Sequence, residues 1–118
     1  MRNFINMITE SAVSLNFSTS EDCWEFEGFG VYASMMGHQD QTMPKSVSIY
    51  EFTSTNSGSG NGEKALRWLR DNGVEFIGVD DPGDPEENPE SWGFWSAMCE
   101  KGLIDQMADE DGDIIYKK

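Results

Sequence analysis

The chain has 118 residues, with 22 Asp and Glu against 8 Lys and Arg and a formal net charge of −14. That length fits one domain, and 12% aromatic residues, with four Trp and seven Phe, are too many for a disordered acidic tail. So acidic a balance argues against direct binding of nucleic acid, whose phosphates need clustered Lys and Arg, and against an anionic membrane surface.

No apolar run approaches the length that spans a bilayer, and the first residues lack the apolar stretch of a secretory signal. Cys23 and Cys99 are too few for a disulfide scaffold and read as reduced thiols. The expectation is a single cytoplasmic globular domain over residues 1–118. Acidity is uneven: residues 1–70 carry 8 acidic and 5 basic side chains, residues 71–118 carry 14 and 3. The acidic half reads either as a solvated face or as a surface that meets a basic partner.

In chain order, residues 2–10 fit a short helix or an edge strand. Val13, Leu15 and Phe17 alternate with polar neighbours, as a half-buried strand requires. Trp24 and Phe26 do the same, and Phe29 and Val31 continue on the other parity after Gly28. Residues 36–44 are loop-like. Val47 and Ile49 begin another strand, in which Tyr50 and Phe52 take over the apolar phase. Such a parity slip marks a bulge, because one extra residue flips the side chains that follow.

The second half changes character. Residues 63–72 predict a helix with Ala65, Leu66 and Leu69 on one face and Gly73 as its stop. Residues 74–79 (VEFIGV) predict a strand covered on both faces, and DDPGDPEE a loop. Asn88 and Pro89 open a helix that carries Trp92, Trp95, Met98 and Cys99 and ends at Gly102. Residues 103–108 and 114–117 flank DEDGD as an antiparallel hairpin.

Between the bulged strand and the first long helix lies Ser57-Gly58-Ser59-Gly60-Asn61-Gly62. Alternating glycines let the backbone approach a ligand, and the amides of a helix start favour an anion. The same composition also suits a flexible loop. A P-loop is ruled out because Glu63 follows Gly62 and Ala65 follows Lys64. A dinucleotide fingerprint is ruled out by spacing, G-x-G-x-G in place of G-x-G-x-x-G.

The stretch SGSGNGEKAL resembles the R-G-x-G-x-G-x-x-L turn of the GNAT superfamily of N-acetyltransferases, which cradles the pyrophosphate of acetyl-coenzyme A. The similarity continues through the strand SVSIYEFT before it and EKALRWLRDNG and VEFIGVD after it. A helix closing in EKGLI and a terminal hairpin follow, so residues 46–118 are covered. The resemblance implies an α/β (α+β) GNAT-like fold. That is a central, mostly antiparallel sheet with a bulged strand, two main helices and a C-terminal hairpin. It also implies acetyl-coenzyme A as cosubstrate, held by Phe52, Ser57, Gly58, Ser59, Gly60, Asn61, Gly62, Glu63 and Lys64, with Lys64 included for its main-chain amide. Glu51 would be the base and Tyr50 a hydroxyl at the reaction centre. Three positions depart from the family. Ser57 replaces its arginine, Asn61 an apolar residue, and Met98 the tyrosine that protonates the leaving thiolate.

Other residues weigh less. Tyr32 and Tyr116 read as packing, and His38 sits in a polar loop. One His with two distant Cys makes no zinc site, and the glycine of DEDGD comes too early for a calcium loop. The leading expectation is acetyl transfer to a cationic amine, a polyamine or a lysine of a basic protein, with a homodimer admitted. The alternative is a non-catalytic acidic protein that occludes a basic surface of its partner.

Overall fold

The computed structural model describes the backbone of residues 3–7 and the whole of residues 13–38, 44–54 and 60–118. Its eight strands lie in one mixed sheet in sequence order. Strands β1 (Asn3–Met7), β2 (Val13–Ser18), β3 (Cys23–Gly28), β4 (Val31–Met36) and β5 (Ser46–Ser54) form an antiparallel meander. Helix α1 (Asn61–Asp71) leads to β6 (Phe76–Asp80), and helix α2 (Pro89–Glu100) leads to β7 (Gln106–Ala108). Each of these strands adds in parallel to the one before, and β8 (Ile114–Lys117) closes the sheet as an antiparallel hairpin. The chain is therefore α+β, with two helices and a bulged strand.

The alternation of the first strands becomes burial. Val13, Leu15 and Phe17 are buried, as are Trp24 and Phe26 opposite Phe17 and Leu15. The change of parity after Gly28 is a hairpin, which corrects the expectation of a continuing strand. Phe29 and Gly30 both take positive φ, 55° and 72°, the pair that a tight two-residue turn demands. The backbone of residues 3–7 resolves the first segment as an edge strand. Most of the loop that follows β4 lies outside the described residues.

The second parity slip is a bulge. Ser34 pairs with Glu51 and Met35 with Ile49, so Tyr50 is the inserted residue. Val47, Ile49 and Phe52 therefore share one face, while Ser48, Tyr50 and Glu51 fall on the other. Phe26, Ala33 and Phe52 line up across three strands. Phe26 meets Trp68 of α1, ring centroids 5.5 Å apart, and Phe52 meets Trp95 of α2 at 5.0 Å. Both helices thus cover the same face. Among the described residues, the opposite face of the sheet carries no helix.

Each helix ends in the same left-handed glycine motif. At α1, Gly73 and Val74 donate to the carbonyls of Arg70 and Leu69; at α2, Gly102 and Leu103 donate to those of Cys99 and Met98. The motif buries Val74 and Leu103 against the core. It also explains why β6 begins at Phe76, later than the sequence pattern suggests: the Val74 amide is committed to the helix end. No helix among the described residues is long and apolar enough to cross a membrane.

Candidate functional site

The parallel ladder between β5 and β6 runs from Ser46↔Phe76 to Ile49↔Val79 and stops there, at the Tyr50 bulge. Beyond it β5 continues alongside β4 to Ser54, whereas β6 ends at Asp80. An open cleft of about 630 Å³ lies against the part of β5 past the bulge, a volume ordinary for a small-molecule site. Its walls are Phe52 and Ser54 of β5, the first turn of α1, and Glu90, Ser91, Phe94, Trp95 and Met98 of α2.

The apolar wall is a packed aromatic trio. Phe94 stands 5.5 Å from Phe52 and 4.8 Å from Trp95 between ring centroids. The sequence pattern assigns Trp95 to the helix core but gives no signal for Phe94. Its partner explains its place: a Cβ on Gly62 would lie 2.7 Å from the Phe94 ring and 3.3 Å from Phe52. Gly62 is thus glycine so that an aromatic ring can lie against the first turn of α1.

Gly60 differs. It takes φ +83° ahead of α1 and has nothing within 4 Å of where a Cβ would stand. No side chain caps this helix, so its first amides look to the cleft and to solvent. The Lys64 amide is an exception, since it donates to the Gly60 carbonyl at 3.2 Å and closes the first helical bond. Lys64 itself is exposed and lines no part of the cleft, which removes its amide from the anion cradle expected of it.

Glu63 is held from two sides. Lys101, at the end of α2, reaches one carboxylate oxygen at 2.6 Å, and Arg67 reaches the other at 2.7 Å. The Lys101 hydrogen bond, then that of Arg67, hold its carboxyl below the usual carboxylate range. The charge nearest the helix start is therefore compensated, and Glu90 is the other carboxylate of the rim.

Of the residues expected at the coenzyme site, Phe52, Gly60, Asn61, Gly62 and Glu63 come together on this cleft, with Met98 opposite them. Ser57, Gly58 and Ser59 lie outside the described residues. Glu51 and Tyr50 do not line the cleft. They stand on the helix-free face of the sheet, in a hydrogen-bonded group of their own.

In that group Tyr32 donates to Glu25 at 2.8 Å, and the Ser34 hydroxyl stands 3.1 Å from Tyr32 Oη and 3.3 Å from Glu51 Oε1. Ser34 has a single proton to offer, so Tyr32 and Glu51 compete for it. The Ser34 bond acts most strongly on the Tyr32 phenol and favours its ionised form. The bond to Glu25, burial and the Glu25 and Glu51 charges together outweigh it and raise its pKa. The Tyr50 phenol is pushed up to about 12, first by its hydrogen bond with Cys23 and then by burial and the Cys23 charge. Both phenols stay protonated at neutral pH. Cys99, buried on α2, has its thiol pushed up by desolvation, the opposite of an activated nucleophile. Among the described residues no group of three or more His, Cys, Asp or Glu is placed to hold a metal ion.

Compared with protein-family models, with curated proteins and with solved structures, the chain has no match in any of the three.

Proposed function

We propose that the chain is a compact GNAT-like domain that binds acetyl-coenzyme A and passes the acetyl group to a cationic amine. The observation that carries this reading is the end of the β5–β6 pairing at the Tyr50 bulge, after which β5 lines a cleft that ends on the uncapped start of α1. The fit is chemical as well as steric. An apolar wall of Phe52, Phe94, Trp95 and Met98 suits a pantetheine arm. The amides of Asn61, Gly62 and Glu63 suit a pyrophosphate, and Gly60 leaves open space for its approach. Ion pairing of Glu63 with Lys101 and Arg67 lessens the repulsion that a bound anion would meet.

The bound thioester supplies an activated acyl group, and the chain's own residues manage position and protons. The amine must lose a proton and the leaving thiolate must gain one. Glu51 follows the Tyr50 bulge, just past the last β5–β6 pair, and it acts as the base from the helix-free face. Met98 occupies the cleft without a proton to give, and the Tyr50 hydroxyl is engaged with Cys23 across the sheet, so solvent protonates the thiolate. A non-catalytic binding role is favoured by one feature, the placement of Glu51 and Tyr50 off the cleft.

The test is thermal unfolding with and without acetyl-coenzyme A, since a ligand of the folded state raises apparent stability by mass action. Saturable stabilisation, with slowed amide exchange at residues 60–63, is the expected result. Binding without turnover on any amine selects the non-catalytic role, and no binding removes the coenzyme from the account.

A further inference from the structure

The helix-free face brings three exposed apolar side chains together. Met36 pairs with Ser48 and Ser48 with Gly78, and the Phe76 ring lies 3.4 Å from where a Gly78 Cβ would stand. Tyr50 stands at the bulge, two residues on from Ser48. Met36 is 44% exposed, Tyr50 46% and Phe76 36%. The other two large exposed apolar residues among those described, Ile114 and Ile115, belong to edge strand β8.

Carboxylates surround this apolar strip. Glu25 and Glu51 both pair with Ser34, and Glu27 pairs with Tyr32 on the same face. The ion pairs found among the described residues use Glu63 and Asp105 and leave these three carboxylates without a cationic partner. Among the described strand residues, the basic side chain of this face in register is Lys117, on β8 at the far edge.

We infer that this face docks a basic protein, through a stretch that bears lysine or arginine interleaved with apolar side chains. Charge complementarity selects a cation and excludes nucleic acid and anionic lipid. Extent selects a polypeptide over a free amine: from Glu27 on β3 to Phe76 on β6 the surface crosses three strand spacings, about 14 Å. Its composition is that of an interface centre, where Tyr, Phe and Met are enriched. An ammonium or guanidinium group over the Tyr50 ring would meet the ring's negative face and the Glu51 carboxylate together. The inference does not depend on the coenzyme reading, and its test is run without coenzyme.

Two peptides of equal charge serve as probes, one an oligolysine and the other combining lysine with leucine, and spermidine is the small-amine arm. Each is titrated into isotopically labelled protein and followed by amide shifts. The expected result is saturable binding of the lysine–leucine peptide, with shifts on β3 to β6 and weaker binding of the other two probes. Glu25→Gln with Glu51→Gln keeps side-chain shape and should weaken binding roughly tenfold or more. Met36→Ser and Phe76→Ser change exposed side chains without altering charge, and each should lower affinity for the lysine–leucine peptide alone. Shifts confined to residues 80–87 and 109–113, equal affinity for both peptides, tightest binding of spermidine, or no binding would each overturn the proposal.

Discussion

The Tyr50 hydroxyl spans from β5 across β4 to the Cys23 thiol on β3, with Oη and Sγ 3.0 Å apart. The bulge makes this reach available, because the inserted residue is free to lay its side chain along the sheet. Cys23 is thereby buried on a face that carries no helix, and Ser34, on the strand that is crossed, is only 3% exposed.

The phenol's raised pKa, about 12, fixes a direction for alkaline stability. Below the ordinary tyrosine pKa of about 10 its contribution is complete, and it is lost as pH rises through the folded value. Tyr32, also raised, acts in the same direction. In a Tyr32→Phe, Tyr116→Phe background the tyrosinate absorbance of Tyr50 should appear late. Cys23→Ala should move it earlier and lower the pH of alkaline unfolding. An unchanged titration after Cys23→Ala would show that the thiol is not what holds the phenol.

Arg70 joins the end of α1 to the starts of β6 and β7. Its guanidinium donates to the Glu75 carbonyl at 2.6 Å, the Leu103 carbonyl at 2.8 Å and Asp105 at 2.6 Å, and Asp105 also accepts from the Ile77 amide at 2.9 Å. Removing it strands two carbonyls and a mostly shielded carboxylate, so Arg70→Met should cost about 3 kcal/mol in denaturant unfolding. Arg67→Met should cost about 0.5 kcal/mol, since Arg67 is 54% exposed in an i,i+4 pair. Equal losses for the two would refute the junction role of Arg70.

These junctions were only partly legible in the sequence. Strand alternation, the glycine helix stops and the bulge were readable because each is a local pattern whose period or residue type reports the backbone directly. Arg70 with Asp105 was not, because they are 35 residues apart and nothing local marks a side chain whose partner arrives from a later strand. Phe94 carries no sequence signal for a related reason. Its position depends on Gly62 lacking a side chain, a contact between two helices that neither helix's periodicity encodes. The hairpin at Phe29 is hidden in the sequence because phenylalanine seldom takes positive φ. Tyr50 and Glu51 were assigned to the site by resemblance, while the face each occupies follows from counting residues around the bulge.

Three glycines separate conformational from steric causes. Gly60→Ala meets no neighbour but must hold φ near +83°, and should cost about 1 kcal/mol. Gly62→Ala forces the Phe94 ring to move and should cost about 2 kcal/mol, altering the aromatic wall of the cleft. Gly93→Ala, within α2 and with open space around it, should stabilise by about 0.5–1 kcal/mol. Chemical denaturation of the three variants checks the order. If Gly62→Ala is neutral, Phe94 does not pack against α1 as described.

Met98 is the residue on which the catalytic reading turns. It is 4% exposed, lines the cleft and sits in the last turn of α2, where its carbonyl accepts the Leu103 amide. The thioether is a weak acceptor with no proton to donate. Met98→Leu conserves volume and should cost less than about 1.5 kcal/mol. If solvent protonates the leaving thiolate, that variant keeps its acetyl-transfer rate. Met98→Tyr places a phenol among Phe52, Phe94 and Trp95. Positioned general acids contribute about 10²–10⁴ in rate, so single-turnover acetyl transfer should quicken by up to about a hundredfold. The gain should fade at alkaline pH as that phenol ionises, near its ordinary value of about 10 if the cleft leaves it unshifted. Tyr50→Phe in the same assay should leave the rate unchanged, because its hydroxyl is engaged with Cys23 across the sheet. A hundredfold loss in Met98→Leu would instead mean that the thioether itself positions the reacting group, and the proton would have to be sought elsewhere.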